Sequence, residues 1–204
     1  LSLAALSWRE LFRDEQLQRL IEQGLRQNTD LRVARLRVEE AEAVLMNTRL
    51  SYLPSVSLNP EGTAGRYEGT TIRTYDIFGK VTNARRGAKA ALEGSRAYEQ
   101  AVQTQLVATI ATGYYTLLML DKQLNINNST LESWERTVET LEALKRAGKS
   151  DDAAVLQAKA NRMTLEAAVL SVRKSIRDTE NSLSALLAMV PQSIRRGTLD
   201  GQEF

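Results

Sequence analysis

The sequence predicts a mainly α protein: a long antiparallel coiled-coil helical hairpin plus a shorter helix, with a short β-hairpin insert. Three observations carry this prediction. Residues 80 to 147 contain no proline, and apolar side chains recur there at heptad spacing. A second apolar row follows from 151 to 189, after the turn-like stretch "KRAGKSDD". Two of the three prolines, Pro54 and Pro60, fall within residues 52–79, where Ser55, Val56, Ser57 and Leu58 alternate as a half-buried strand does.

The elements follow in order. The opening "LSLAALSW" is apolar but lacks a basic start and a cleavage pattern, so it reads as the beginning of a mature or trimmed chain. A short helix is expected over 15–27 with Asp14 as its N-cap, broken by Asn28 and Thr29. Residues 30–51 form the next helix, because Leu31, Ala34, Val38, Ala41 and Leu45 make one stripe. Glycines at 62, 65, 69 and 79 add turn signals to the insert over 52–79.

The helix over 80–147 would be ~100 Å long if continuous. Ile110, Leu117, Leu124, Leu131 and Val138 form one row, with Leu120, Trp134 and Leu141 beside it. Such a stripe demands partners, since a lone helix is not held by propensity. The returning helix supplies one through Leu165, Val169, Val172, Ile176, Leu183, Leu186 and Val190. Over residues 80 to about 110 the helix over 30–51, running antiparallel, fills the place. The poor helix formers of "NINNST" (125–130) suggest a local distortion. Ala84, Gly87, Ala88, Ala91 and Gly94 suggest close approach of a neighbouring helix. Tyr114 and Tyr115 are adjacent, so only one can face a seam. Trp134 is read as packing.

The turn between the long helices has local chemistry of its own. Lys145 and Arg146 complement a helix C-terminus, and Gly148 suits the left-handed conformation beyond it. Ser150 is the expected cap of the returning helix, with Asp151 and Asp152 in its first turn.

Composition narrows the function. A net charge of +2 without a basic block argues against nucleic acid. With no cysteine and no histidine, disulfides, thiolate metal sites and the common catalytic arrangements are absent, and no glycine-rich phosphate loop occurs. Glu39 and Glu40 lie on a helical face without a cleft. The reading is therefore not an enzyme, with no catalytic residue, cofactor or metal. No apolar run of about 18 residues exists to form a transmembrane helix, whereas barrel strands need only ~10 alternating residues and stay open.

Several segments together resemble the outer-membrane channel components of tripartite efflux pumps, the TolC-like proteins, in particular their OprM-like lipoprotein branch. "SWRELFRDEQLQRLIEQGLRQNTDLRVARLRVEEAEA" (7–43) is similar to the family's opening. "YLPSVSL" (52–58) resembles its passage into the barrel, "DIFGK" (76–80) its return, and "ENSLSALLAMVPQSIRRG" (180–197) the end of a repeat. The resemblance implies half of a TolC-like α/β-barrel protomer. Residues 1–29 are then an N-terminal segment, 30–51 and 80–190 the helical tunnel domain, 52–79 the barrel hairpin, and 191–204 a linker toward a second repeat. Between Pro54 and Asp76 lie 21 residues, against ~20 for two bare spanning strands plus a loop. The hairpin is therefore expected to be truncated.

The same resemblance implies a passive export duct for drugs or other small molecules in the bacterial outer membrane, with its helical part in the periplasm. It implies a homotrimer for the full-length protein, a periplasmic adaptor (membrane fusion protein) and an inner-membrane resistance-nodulation-division pump. The adaptor would meet the hairpin tip at Lys145, Arg146, Gly148, Lys149 and Ser150. Asp151 and Asp152 are candidates for a pore constriction, although the family's aspartate lies just before the valine, where this chain has Ala154 before Val155. Helix capping is the favoured reading of these two carboxylates. The alternative function is a soluble coiled-coil scaffold or adaptor, which has no need of the insert over 52–79.

Overall fold

A computed structural model describes residues 8–50 and 79–201. Its helices are α1 (Trp8–Leu11), α2 (Glu15–Gln27), α3 (Thr29–Leu50), α4 (Lys80–Arg146) and α5 (Asp152–Leu186), followed by a 3-10 turn at Leu199–Gly201. The β-hairpin expected over 52–79 lies outside the described residues except for Gly79; among the described residues there is no strand. The chain divides into two compact units, Thr29–Thr104 and Leu1–Asn28 with Gln105–Phe204.

In the first unit α3 lies beside the opening part of α4. Arg35 bonds Glu99 at 3.4 Å and Arg96 bonds Glu42 at 2.7 Å, so partners descend in one helix as they rise in the other. Arg37 also stands over the Tyr98 ring at 5.5 Å. The stripe expected on α3 is the buried one: Leu31, Ala34 and Leu45 are buried, with Val38 and Ala41 half-buried. The small residues of α4 require a correction. Ala84, Gly87, Ala91 and Gly94 are exposed, and among the described residues nothing beyond the glycine's own stretch of helix lies within 4 Å of a Cβ built at Gly87 or Gly94. The inward face is instead the row Val81, Ala88, Leu92, Ser95, Glu99, one helical step around.

In the second unit the lower part of α4 pairs with α5. Ile110, Leu117 and Val138 on α4 and Val169, Val172, Ile176 and Leu183 on α5 are buried, as their heptad rows predict. Val190 does not belong to the row: it is 81% exposed, because α5 ends at Leu186. The helix stops there through a left-handed Ala188, φ 51°, with Ala188 N–H donating to Ala185 and Met189 N–H to Ser184. No distortion occurs at 125–130, where α4 is continuous. The Ser129 and Thr130 hydroxyls turn back onto the carbonyls of Asn125 and Ile126, so they bond within the helix instead of opening it.

Helix α2 packs into this unit through buried Leu17 and Ile21. Gly24 permits the approach, since a Cβ there would stand 2.5 Å from Ile110 Cδ1 and 3.3 Å from Leu187 Cδ2. The Asn28 amide then donates to the Leu186 carbonyl at 3.0 Å, satisfying an acceptor left over by the end of α5.

Candidate functional site

The hairpin tip is a two-helix turn without an added domain. α4 ends in a Schellman motif: Lys149 N–H donates to the Leu144 carbonyl and Gly148 N–H to the Lys145 carbonyl, both at 2.9 Å. The motif needs a left-handed residue, and Gly148 supplies it at φ 70°. Among the described residues, chain neighbours aside, nothing lies within 4 Å of a Cβ built at Gly148, so conformation, not space, calls for glycine there.

The cap of α5 differs from the sequence expectation. Asp151, not Ser150, caps the helix, its Oδ1 accepting from Ala154 N–H at 2.8 Å. Its extended backbone, φ −99° and ψ 170°, points the short carboxylate back over the first turn, and its charge adds to the attraction of the helix dipole. Ser150 sits one place too early and is half-buried in the turn. Asp152 pairs with Lys145, tying the last turn of α4 to the first turn of α5. Lys159 closes a further rung on Glu142 at 2.6 Å, and this hydrogen bond holds the Glu142 carboxyl below its ordinary range. Lys145, Arg146, Lys149, Asp151 and Asp152 are all exposed. The structure thus gathers the seven expected tip residues in one turn, with three cations and two carboxylates facing solvent.

A polar node away from the tip was not foreseen from sequence. Arg196 makes a two-pronged contact with Asp121 (2.5 and 2.9 Å) and a third bond to Glu180 at 2.5 Å. Its side chain is 14% exposed, and these bonds drive its pKa up, above the usual arginine range. Nearby, the buried Tyr114 hydroxyl donates to Asp14 Oδ2 at 2.7 Å and accepts from Gly197 N–H at 3.2 Å. The other oxygen of Asp14 caps α2 through Gln16 and Leu17. Tyr115, the neighbour that cannot share this seam, packs against Phe12 with ring centroids 6.4 Å apart. Asp14, a cap in the sequence, is thus also the acceptor that anchors Tyr114. These groups fasten the segment after α5 onto the helices. Among the described residues no cluster of three carboxylates could hold a metal, and no helix is long and apolar enough to cross a membrane.

A long antiparallel hairpin of α4 and α5 closed by a bare tip, and a helix α3 antiparallel to the opening part of α4, define a mainly α protein built on paired long helices. The chain belongs to the outer membrane efflux protein family, which it matches over residues 20–189. It is 27% identical over 202 residues to the toluene efflux pump outer membrane protein TtgF of Pseudomonas putida, covering 90% of this chain and 42% of that protein. It is 27% identical over 195 residues to the cation efflux system protein CusC of Escherichia coli K12, covering 88% and 42%. A solved structure of CusC superposes with a TM-score of 0.83 at 25% identity, over 95% of this chain and 48% of that one. That of VceC from Vibrio cholerae gives 0.76 at 25% identity, over 90% and 49%. The chain therefore spans less than half the length of these relatives.

Proposed function

We propose that the chain is the first structural repeat of the outer-membrane channel of a tripartite efflux pump, a passive duct through which drugs or other small molecules leave the cell. The observation that carries this reading is the family match across α2 to α5. The relatives' names, efflux pump outer membrane proteins and cation efflux proteins, favour it over a soluble scaffold. In this reading residues 30–51 and 80–190 belong to the periplasmic tunnel and 52–79 to a barrel hairpin in the outer membrane. Residues 1–29 precede the tunnel, and 191–204 lead toward a second repeat, consistent with the 42% of each relative that the chain covers. Three full-length protomers would complete the duct. Only a closed barrel satisfies strand backbone groups in lipid, which is the physical reason for helices to hand over to strands.

The energy would come from an inner-membrane resistance-nodulation-division pump, coupled through a periplasmic adaptor docked on Lys145, Arg146, Gly148, Lys149 and Ser150. Support comes from the exposure of this turn and its mixed charges, which suit a partner of complementary pattern. Asp151 and Asp152 would line the constriction only where symmetry copies bring them together, in addition to their capping and ion-pairing roles. Comparing Gly148→Trp with Gly148→Ala in a full-length protein tests the docking. Both pay the same left-handed backbone strain, and the open space takes either side chain. Docking predicts that the tryptophan variant reaches the outer membrane yet loses adaptor cross-linking and efflux, while the alanine variant keeps most of both. Equal cross-linking by the two variants would reduce the tip to a turn.

A further inference from the structure

The ladder of ion pairs between α3 and α4 breaks where the two helices approach the insert. Arg35 meets Glu99, and Glu42 meets Arg96. One heptad further along the same two edges stand Arg49 and Lys89, both cations. Like charges facing each other oppose the packing of one helix on the other. Lys80, Arg85 and Arg86 add three more, and all five are exposed. Residues 43–50 and 80–92 contain no carboxylate; the nearest in sequence are Glu42, Glu93 and Asp76. Among the described residues Arg49, Lys80, Arg85 and Arg86 have no acidic partner. Lys89 has Glu93, at 3.6 Å, with both side chains largely in solvent. The whole chain carries only +2, so the five charges gathered here leave the remainder net negative.

We propose that this basic edge seats the phosphates of anionic phospholipid headgroups where the duct enters the outer membrane. The inference rests on the reading above, in which 52–79 form a barrel hairpin. α3 ends at Leu50 and α4 begins at Lys80, so all five cations lie within ~14 Å of the helix ends that lead into the insert. The headgroup layer extends ~5–8 Å beyond the hydrocarbon, and its field reaches a further Debye length of ~8 Å. A phosphate between Arg49 and Lys89 turns one repulsive contact into two attractive ones, and guanidinium forks match phosphate oxygens. Met46 and Leu50 are exposed beside them, and cations next to apolar side chains are the groups that bind a membrane surface.

The faces of α4 turn these cations outward. α3 covers the row Val81, Ala88 and Leu92. The exposed small residues Ala84, Gly87, Ala91 and Gly94 lie about a quarter turn away, where the next helix of a tunnel fits closely. In a closed ring the two neighbours of any helix subtend less than half a circle on the lumen side, so the face turned from both is the outer one. Arg85, Arg86 and Lys89 occupy that face.

Vesicle flotation of the 204-residue chain tests the proposal. The chain should bind vesicles of phosphatidylcholine mixed with phosphatidylglycerol and, at the same salt, bind phosphatidylcholine alone far more weakly. Replacing Arg85, Arg86 and Lys89 together by glutamine should weaken binding to the mixed vesicles about a hundredfold. The same change of charge at Arg173, Lys174 and Arg177 should leave most of it, and Arg85→Lys with Arg86→Lys should keep it. Arg49→Glu should extend the ion-pair ladder to Lys89, raising the melting temperature while weakening vesicle binding, a combination that a folding defect does not give. Equal binding of both vesicle types, equal loss from the two triple variants, or displacement by inorganic phosphate at constant ionic strength would overturn the proposal. Those outcomes leave the duct reading standing; that reading fails separately, if the full-length wild type does not fractionate with the outer membrane.

Discussion

Ala188 holds a left-handed backbone, φ 51°, that an alanine adopts only at a cost. Its place at the end of α5 matches that of Gly148 at the end of α4, so the two helices close by the same motif with different residues. Replacing Ala188 with glycine should therefore stabilise the chain, by about 0.5–1 kcal/mol after the entropy of glycine in the unfolded state is subtracted. The midpoint of urea unfolding measures it, and an unchanged or lower midpoint would show that the strain is not felt. Tyr114 offers a pH test. Burial, and then its bond to Asp14, raise its pKa above the ordinary tyrosine value of 10.0. The native state keeps this proton when the unfolded chain has begun to lose it. The stability involved is complete below about pH 10 and is lost as pH rises toward the folded value. Tyr114→Phe should cost about 1–2 kcal/mol at neutral pH, since Asp14 and Gly197 each lose a partner. It should also flatten the alkaline fall in stability; an equally steep fall in the variant would locate the titration elsewhere.

At the scale of elements, the helices were legible because α4 has no proline and both seams repeat in heptads. The ends were less legible, for local reasons. Ser150 and Asp151 are both good capping residues, and only the backbone angle at Asp151 decides between them. No glycine marks the end of α5, so the apolar row seemed to run on to Val190. The node at Arg196 was hidden because its partners lie 75 and 16 residues away, on different helices, and sequence spacing carries no sign of them. The exposed row of small residues on α4 had the right spacing for packing but faces away from α3. Continuity of α4 is testable at Ala111, which is 5% exposed and lies mid-helix. Ala111→Pro removes a backbone bond and clashes with the preceding turn, so it should cost ~3 kcal/mol or more. Circular dichroism and thermal melting report it, and a variant with wild-type helicity and melting would contradict an unbroken helix.

On the scale of the molecule, fold class and family were readable from sequence because several modest signals agreed in order along the chain. The insert over 52–79, read as a strand pair from its alternation and prolines, lies outside the described residues except for Gly79. In the proposed reading one repeat would supply a single strand hairpin, whose open edges cannot be left unpaired in lipid. The isolated 204-residue chain should accordingly give no stable conductance in planar bilayers; uniform channels would mean that several copies close a barrel by themselves. The Schellman turn at the tip has a consequence for any partner that meets it. Its amides satisfy the carbonyls of Ala143, Leu144 and Lys145 internally, so the end of α4 offers a visitor few free acceptors. Adhesion by main-chain pairing, as on the edge of a sheet, has little to grip. What is left to grip is side-chain charge on a compact knob, and exposed charge is the contribution that dissolved salt screens most readily. Attachment at this end should loosen as ionic strength rises, making the coupling of such a duct a property of the surrounding fluid as much as of the protein.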